Sequence, residues 1–493
     1  MNIAQKTLFD RPSHTKIVAT LGPASNYDEM LQKLIYAGVD VFRINAAHGT
    51  IDDFEVTVAN VRAASEATGM PVGILMDLGG PKIRLGALPN DELDLPKGGF
   101  LAFISPEFNV KRSKAPEIDG IPLLTCTYEP LVNELRVGDR IVLADGTVEL
   151  RVSEVAAKEN QWAKCEILEG GTVRSRQGVN LPGVKLSIPA MLDVDRENAA
   201  WAARNGVDFL GLSFVRHAFE VEELKQIIAE NGGTTRVVAK IEKPEAVENL
   251  ESIVEAADAV MVARGDLGVE TDIARMPVLQ KEIIELCHEM RRPVIVATQM
   301  LESMTHSNLP TRAEVTDVAN AILDGADAVM LSGESAVGDY PVETVEMMHR
   351  IALGAEDSVD SETYHFIPED SPFGLVLESI SQNACDLAEQ IGAKYLVTAT
   401  ESGASAQCLS ANRCPTRILA LTHSEDTLRK LCLDWGVIPL MIPGMERTTQ
   451  EIMLYALKLL RSEDLVQKGD RLILVTDATV ETTYSAIAVY VVD

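Results

Sequence analysis

Lys240 and Glu242, in the run RVVAKIEKPEAVENL, are the two residues whose types and spacing best suit chemistry. Alternate side chains of a strand share a face, so Lys240 and Glu242 point one way while Ala239 and Ile241 point the other. Further on, VARGDLG places Asp266 beside Arg264 in a loop flanked by Gly265 and Gly268. Two carboxylates from adjacent strand ends can hold one Mg²⁺ (or Mn²⁺) and leave coordination positions for substrate oxygens and water. Lys240 beside them can neutralise a phosphoryl oxygen or a developing enolate. The two glycines permit close backbone approach, so the loop amides could bind a carboxylate. A solvated ion pair at a strand end would explain KIE alone equally well, but not RGDLG one strand later.

Other candidates lie at similar places. In ATQMLESM, Thr298 ends an apolar run, and Ser332 and Glu334 end the next one. Thr311 and Glu314 have capping-box spacing and a structural role, opening a helix that Gly325 can close. FRINAAHG supplies Arg43, Asn45 and His48, and MDLGGPKIRLG supplies Asp77, Lys82 and Arg84. Singly such cations are usually solvated; Arg43, Lys82, Arg84 and Lys240 converging on one rim would make a phosphate site.

The elements that must position these residues alternate along the chain. KIVATL, VDVFRI, PVGILMD, VDFLGLSF, RVVAKI, DAVMVA, PVIVAT and DAVMLS read as buried parallel strands, each followed by sequence of helical period. Eight βα units predict a closed (β/α)₈ TIM barrel over residues 15–86 and 188–356, with its active site at the carboxyl ends of the strands. Residues 87–187 break the pattern with short alternating runs rich in Pro and Gly. They predict an all-β, barrel-like insertion after the third strand, placed to act as a lid. Residues 370–493 resume the alternation as a separate, doubly wound α/β domain. Residues 1–14 read as a tail.

Composition sets the outer bounds. The chain has 493 residues, 46% of them hydrophobic and 24% charged, with a formal net charge of -30. A length of this order suggests about three domains. The acidity argues against nucleic acid and anionic membranes, though a local group of cations can still bind small phosphorylated substrates. Seven cysteines without a CxxC pair fit neither a disulfide framework nor a zinc ribbon. No signal core and no run of roughly 18 apolar residues is present, so the cytoplasm is the expected location.

The runs KIVATLGPAS, RINAAHG, MDLGGPKIR, GVNLPG, KIEKPEAV, MVARGDLGVE, ATQMLESM, PTRAEVTDVANA and MLSGESAVGDYP, in this order, resemble the successive signatures of the pyruvate kinase family. The resemblance implies Mg²⁺-dependent phosphoryl transfer from phosphoenolpyruvate to ADP, giving pyruvate and ATP. It implies that Glu242 and Asp266 hold the metal, and that Lys240 stabilises the phosphoryl group and the enolate. Arg43 would bind the phosphoryl group, and the Gly265 and Asp266 amides with Thr298 the substrate carboxylate. Protonation would run through a network near Thr298 and Ser332, while Asn45, His48 and Arg84 face the nucleotide.

The departures from the family pattern are specific. Many members bind K⁺ with hydroxyl residues where this chain has Ala47 and Leu78, although Asn45 and Asp77 of that site remain. Lys82 stands where they carry Glu, resembling the K⁺-independent branch. A fixed ammonium can replace the ion's charge, so K⁺ is expected not to be required. Gly79 replaces a Lys, and Gln177 sits where many members have a Lys near the nucleotide.

In TATESGASA, the residues Thr398, Thr400, Ser402, Gly403 and Ser405 resemble the family's effector phosphate loop. The final loop, with Asp477 and Glu481, would repel a second phosphate, so a sugar monophosphate or a nucleotide is the expected effector. The family further implies a homotetramer. Two rivals are a barrel lyase or aldolase using the same Lys–Glu–Asp–metal site, and a catalytically silent sensor. The cations on the nucleotide side and the intact Lys240, Glu242, Asp266 and Thr298 disfavour them. Neither GxxxxGK[ST] nor an HRD–DFG pair occurs.

Overall fold

The computed structural model describes residues 13–105, 120–156, 162–358, 367–368, 370–442, 449–476 and 485–493. Eight strands form a closed parallel barrel: β1 (Lys16–Thr20), β2 (Val41–Asn45), β3 (Gly73–Asp77), β4 (Phe209–Leu212), β5 (Arg236–Ile241), β6 (Ala259–Ala263), β7 (Val294–Ala297) and β8 (Ala328–Leu331). Their order around the barrel is sequential, and β8 closes on β1 with Lys16 opposite Ala328. β1, β3 and β6 are buried along their whole length, as strands covered on both faces must be. The helices between them carry apolar stripes. Asp28–Ala37 buries Leu31, Leu34 and Ile35, at helical spacing toward the barrel.

The all-β insertion is a six-stranded sheet and a two-stranded ribbon around its own core of Leu101, Phe103, Ile141, Leu150 and Ile167. The carboxyl-terminal domain is a five-stranded sheet flanked by helices. Four of those strands are parallel, as the alternation implies; the fifth, Ala486–Val491, runs antiparallel on the edge against Arg471–Thr476. Asp477 and Glu481 lie outside the described residues. Among the described residues no helix is long and apolar enough to cross a membrane.

Buried charges join the carboxyl-terminal domain to the amino-terminal rim of the barrel. Asp208, just before β4, accepts from Arg62 at 2.7 Å, from the Ile74 amide at 2.7 Å and from Arg429 of the carboxyl-terminal domain at 2.8 Å. Arg291 pairs with Glu378 at 3.0 Å with both side chains almost fully buried. Lys16 reaches the Val437 carbonyl at 2.7 Å. Residues 13 and 14 of the predicted tail are packed rather than free. His14 stacks on Trp435, and its backbone N–H donates to Glu356.

Candidate active site

The strand β5 delivers Lys240 and Glu242 to the carboxyl-terminal mouth of the barrel, as alternation requires. Lys240 Nζ lies 2.9 Å from Glu242 Oε1 and 3.2 Å from Asp77 Oδ2, at the end of β3. Burial pulls the ammonium's pKa down, but Asp77 and Glu242 more than offset this and hold it raised. The Asp77 carboxylate also accepts from Arg43 Nε at 2.9 Å. Burial pushes Asp77 up, yet Lys240 and Arg43 win and keep it below the usual carboxylate range. Arg43 also donates to Thr20 Oγ1 at 3.1 Å.

Asp266 sits in the first turn of the short helix Arg264–Glu270 that follows β6. Glu242 is raised by burial first, with the Asp266 charge adding to the effect against Lys240. The two carboxylates therefore repel across a gap that a divalent cation would relieve. Among the described residues no three His, Cys, Asp or Glu side chains gather to hold a metal, so such an ion would draw its other ligands from substrate and water. The donor set fits a Mg²⁺ shared with a substrate.

Thr298 follows β7 with a left-handed φ of 71°. Its hydroxyl donates to the Ala297 carbonyl at 2.6 Å and accepts from the Gly265 amide at 2.7 Å. The Gly265 N–H expected to meet a substrate carboxylate is thus engaged by Thr298, because the two loop ends abut. Arg264 clamps this arrangement, donating to the Thr298 carbonyl and to Asp317, both at 2.8 Å. The Ser332 hydroxyl is buried with no hydrogen-bond partner among the described residues, while the Ser332 amide donates to Glu334. Glu334 also accepts from the Leu301 amide, so it ties the exits of β7 and β8 together rather than facing a ligand.

Lys82 departs from expectation. Its ammonium lies 3.1 Å from Asp266, whereas Asp77 takes its cations from Arg43 and Lys240. Lys82 leaves β3 on the side of the insertion, toward the helix that carries Asp266. The Gly79 and Ala47 departures prove to be neighbours: a Cβ at Gly79 would come 3.2 Å from Ala47 Cα. Asn45 accepts from the Ala47 amide, and His48 is exposed beside it. Arg84 donates to the Arg176 carbonyl, anchoring the insertion. A cleft of about 1270 Å³ opens between the insertion and the barrel, lined by Lys82, Arg140, Thr147, Gly265, Asp266 and Gln299 among others. Asn45, His48 and Arg84 do not line it. Gln177 accepts from the Arg174 amide within the insertion.

The effector-loop reading is narrowed. Thr398 and Ser405 are buried and hydrogen-bond one another at 3.0 Å, because the strand Tyr395–Ala399 packs its inner face on the helix Ala404–Ala411. Thr400 accepts from the Gly403 amide, and Ser402 is exposed. Two residues at the main site escaped sequence reading. Ser213 accepts from Lys240, and the Phe214 amide donates to Glu242; GLSF looked like ordinary strand.

Fold and site together define a (β/α)₈-barrel enzyme with an all-β insertion over its mouth. Residues 12–345 match the model for the pyruvate kinase barrel domain, and residues 378–489 match that for the pyruvate kinase alpha/beta domain. Pyruvate kinase of Mycobacterium tuberculosis (strain H37Rv) is 40% identical over 477 residues, covering 97% of each chain. That of Staphylococcus epidermidis is 38% identical over 461 residues, 93% of this chain and 77% of that protein. The crystal structure of a Cryptosporidium parvum pyruvate kinase superposes with a TM-score of 0.88 at 34% identity, covering 98% of this chain and 97% of that one. The chain belongs to the pyruvate kinase family, phosphotransferases whose members are generally Mg²⁺-dependent.

Proposed function

We propose that Lys240, Arg43, Glu242, Asp266 and Thr298 carry phosphoryl transfer from phosphoenolpyruvate to ADP at this mouth. The observation that supports this most is one buried network in which Lys240 touches both Glu242 and Asp77, with Asp266 close enough to raise Glu242. Glu242 and Asp266 would hold Mg²⁺, which when bound supplies positive charge to phosphoryl and enolate oxygens. Lys240 and Arg43 bind the phosphoryl group as its bond to the enol oxygen breaks and one to an ADP phosphate oxygen forms. Lys240 then stabilises the enolate left behind. Thr298 orients the carboxylate, and a proton relayed near Thr298 and Ser332 reaches C3 to give pyruvate. A substrate carboxylate takes the Gly265 amide from the Thr298 hydroxyl, freeing that hydroxyl for the relay.

Lys82 supplies the fixed positive charge that a monovalent ion would otherwise bring, although it does so beside Asp266. The absence of hydroxyls at Ala47 and Leu78 supports the same reading. Asn45, His48 and Arg84 serve the nucleotide side once the insertion closes. Thr400, Ser402 and Gly403 remain for an effector phosphate, of a sugar monophosphate or nucleotide. A cytoplasmic homotetramer is the family expectation. The test is pyruvate formation in tetramethylammonium buffer. Dependence on phosphoenolpyruvate, ADP and Mg²⁺ is expected, without need of K⁺; a K⁺ stimulation beyond about tenfold would remove the Lys82 reading.

A further inference from the structure

We propose that Ser213 and Phe214, immediately after β4, are positioning residues that orient Lys240 and Glu242 for their separate tasks. The proposal deepens the site reading above and rests on it. Ser213 is 2% exposed. Its hydroxyl proton goes to the Leu78 carbonyl at 2.7 Å, so toward Lys240 Nζ, 2.9 Å away, the oxygen can only accept. An acceptor-only neighbour fixes the direction of one ammonium N–H.

Phe214 has a left-handed φ of 56°. For a residue with a Cβ this conformation is strained. It turns the Phe214 N–H onto Glu242 Oε2 at 2.8 Å. Room for the turn comes from Gly80, itself at φ 61°. A Cβ on Gly80 would sit 2.9 Å from Phe214 Cδ2 and 3.0 Å from Ser213 Cβ. This explains one glycine of MDLGGPK on packing grounds alone.

The geometry has a consequence for the reaction. Lys240 and Glu242 lie two residues apart on one face and already touch at 2.9 Å. That one contact does not by itself fix where the other ammonium donors and the second carboxylate oxygen point. Ser213 draws one N–H of the ammonium aside, and the Phe214 amide fixes one carboxylate oxygen. The remaining donors of Lys240 and the orientation of Glu242 are thereby set before substrate or metal arrives.

The test uses the full-length enzyme and the variants S213A, S213T, F214G and F214I, with thermal melts to confirm folding. S213A is expected to lower kcat roughly tenfold or more while KM for phosphoenolpyruvate stays within about threefold. S213T, which keeps the hydroxyl, should restore kcat. Mn²⁺ binding, followed by electron paramagnetic resonance, should weaken at least about fivefold more in F214I than in F214G, since a β-branched residue resists left-handed φ. A folded S213A with unchanged kcat, or equal Mn²⁺ loss in both Phe214 variants, would overturn the proposal. If F214I does not fold, the S213A–S213T pair decides alone. K240M separates the two levels. If it retains phosphoryl transfer, the site reading itself fails; if it is inactive while S213A is unaffected, only the positioning role fails.

Discussion

Asp77 holds two cations at once, and both belong to the proposed phosphoryl-binding set. Removing its charge in D77N would leave Arg43 and Lys240 to repel one another in a buried site. The expected cost is about 3–5 kcal/mol in denaturant unfolding at neutral pH, the range for breaking a buried ion pair from one side. The sign with pH follows from the lowered carboxyl. Its contribution is present above the ordinary carboxylate pKa and is lost as pH falls through the still lower folded value. A D77N penalty that did not shrink on acidification would contradict this. Residues of this kind were partly legible. Alternation placed Lys240 and Glu242 on one face, and the glycine-flanked loop marked Asp266. The partner of Lys82 was not legible, because spacing along β3 does not say which neighbouring helix a long side chain will reach. Ser213 was hidden because a hydroxyl inside an apolar run gives no periodic signal.

Elements were read well where their chemistry is local. Thr311 and Glu314 form the capping box their spacing implied, and Gly325 takes φ 105° after the helix Arg312–Leu323. Glu314 does more than cap, for it also accepts from the Ser303 amide at 2.7 Å and the Ser303 hydroxyl at 2.6 Å. It therefore fastens the turn after β7 to the helix before β8. E314Q, which cannot keep the charge-assisted bonds, should lose about 1–3 kcal/mol of stability by thermal or denaturant unfolding. A loss under about 0.5 kcal/mol would mean that the turn holds without it. The antiparallel edge strand Ala486–Val491 was missed because AIAVYV follows no helix. A reader counting βα units stops before it.

At the scale of the whole molecule, the interface beneath the barrel was invisible in sequence, since its partners are separated by hundreds of residues. Arg236, which begins the strand that carries Lys240, lies 3.8 Å from Asp434 of the carboxyl-terminal domain. Burial pushes the Asp434 carboxyl up to about 6 from its ordinary value of 3.8, with Arg236 and Gln407 opposing and Asp327 reinforcing. Between those values the native chain holds a proton that the unfolded chain has released. Stability from this group is therefore fully present at acid pH and falls as pH rises through about 6, by about 3 kcal/mol in all. D434N has no such proton to lose. Its melting temperature relative to the parent should rise between about pH 4 and pH 6.5, where the folded and unfolded chains differ in protonation. A difference flat across that range would remove Asp434 as a source of pH dependence.

All seven cysteines are buried. Burial pushes Cys126 up to about 11 and Cys165 and Cys408 up to about 12, so those sulfurs offer negligible thiolate to an electrophile at neutral pH. Cys126 and Cys165 lie in the insertion, Cys287 in the barrel, and Cys385, Cys408, Cys414 and Cys432 in the carboxyl-terminal domain. An alkylating reagent must wait for each region to open, and the order in which peptides become labelled would time the breathing of the three parts separately.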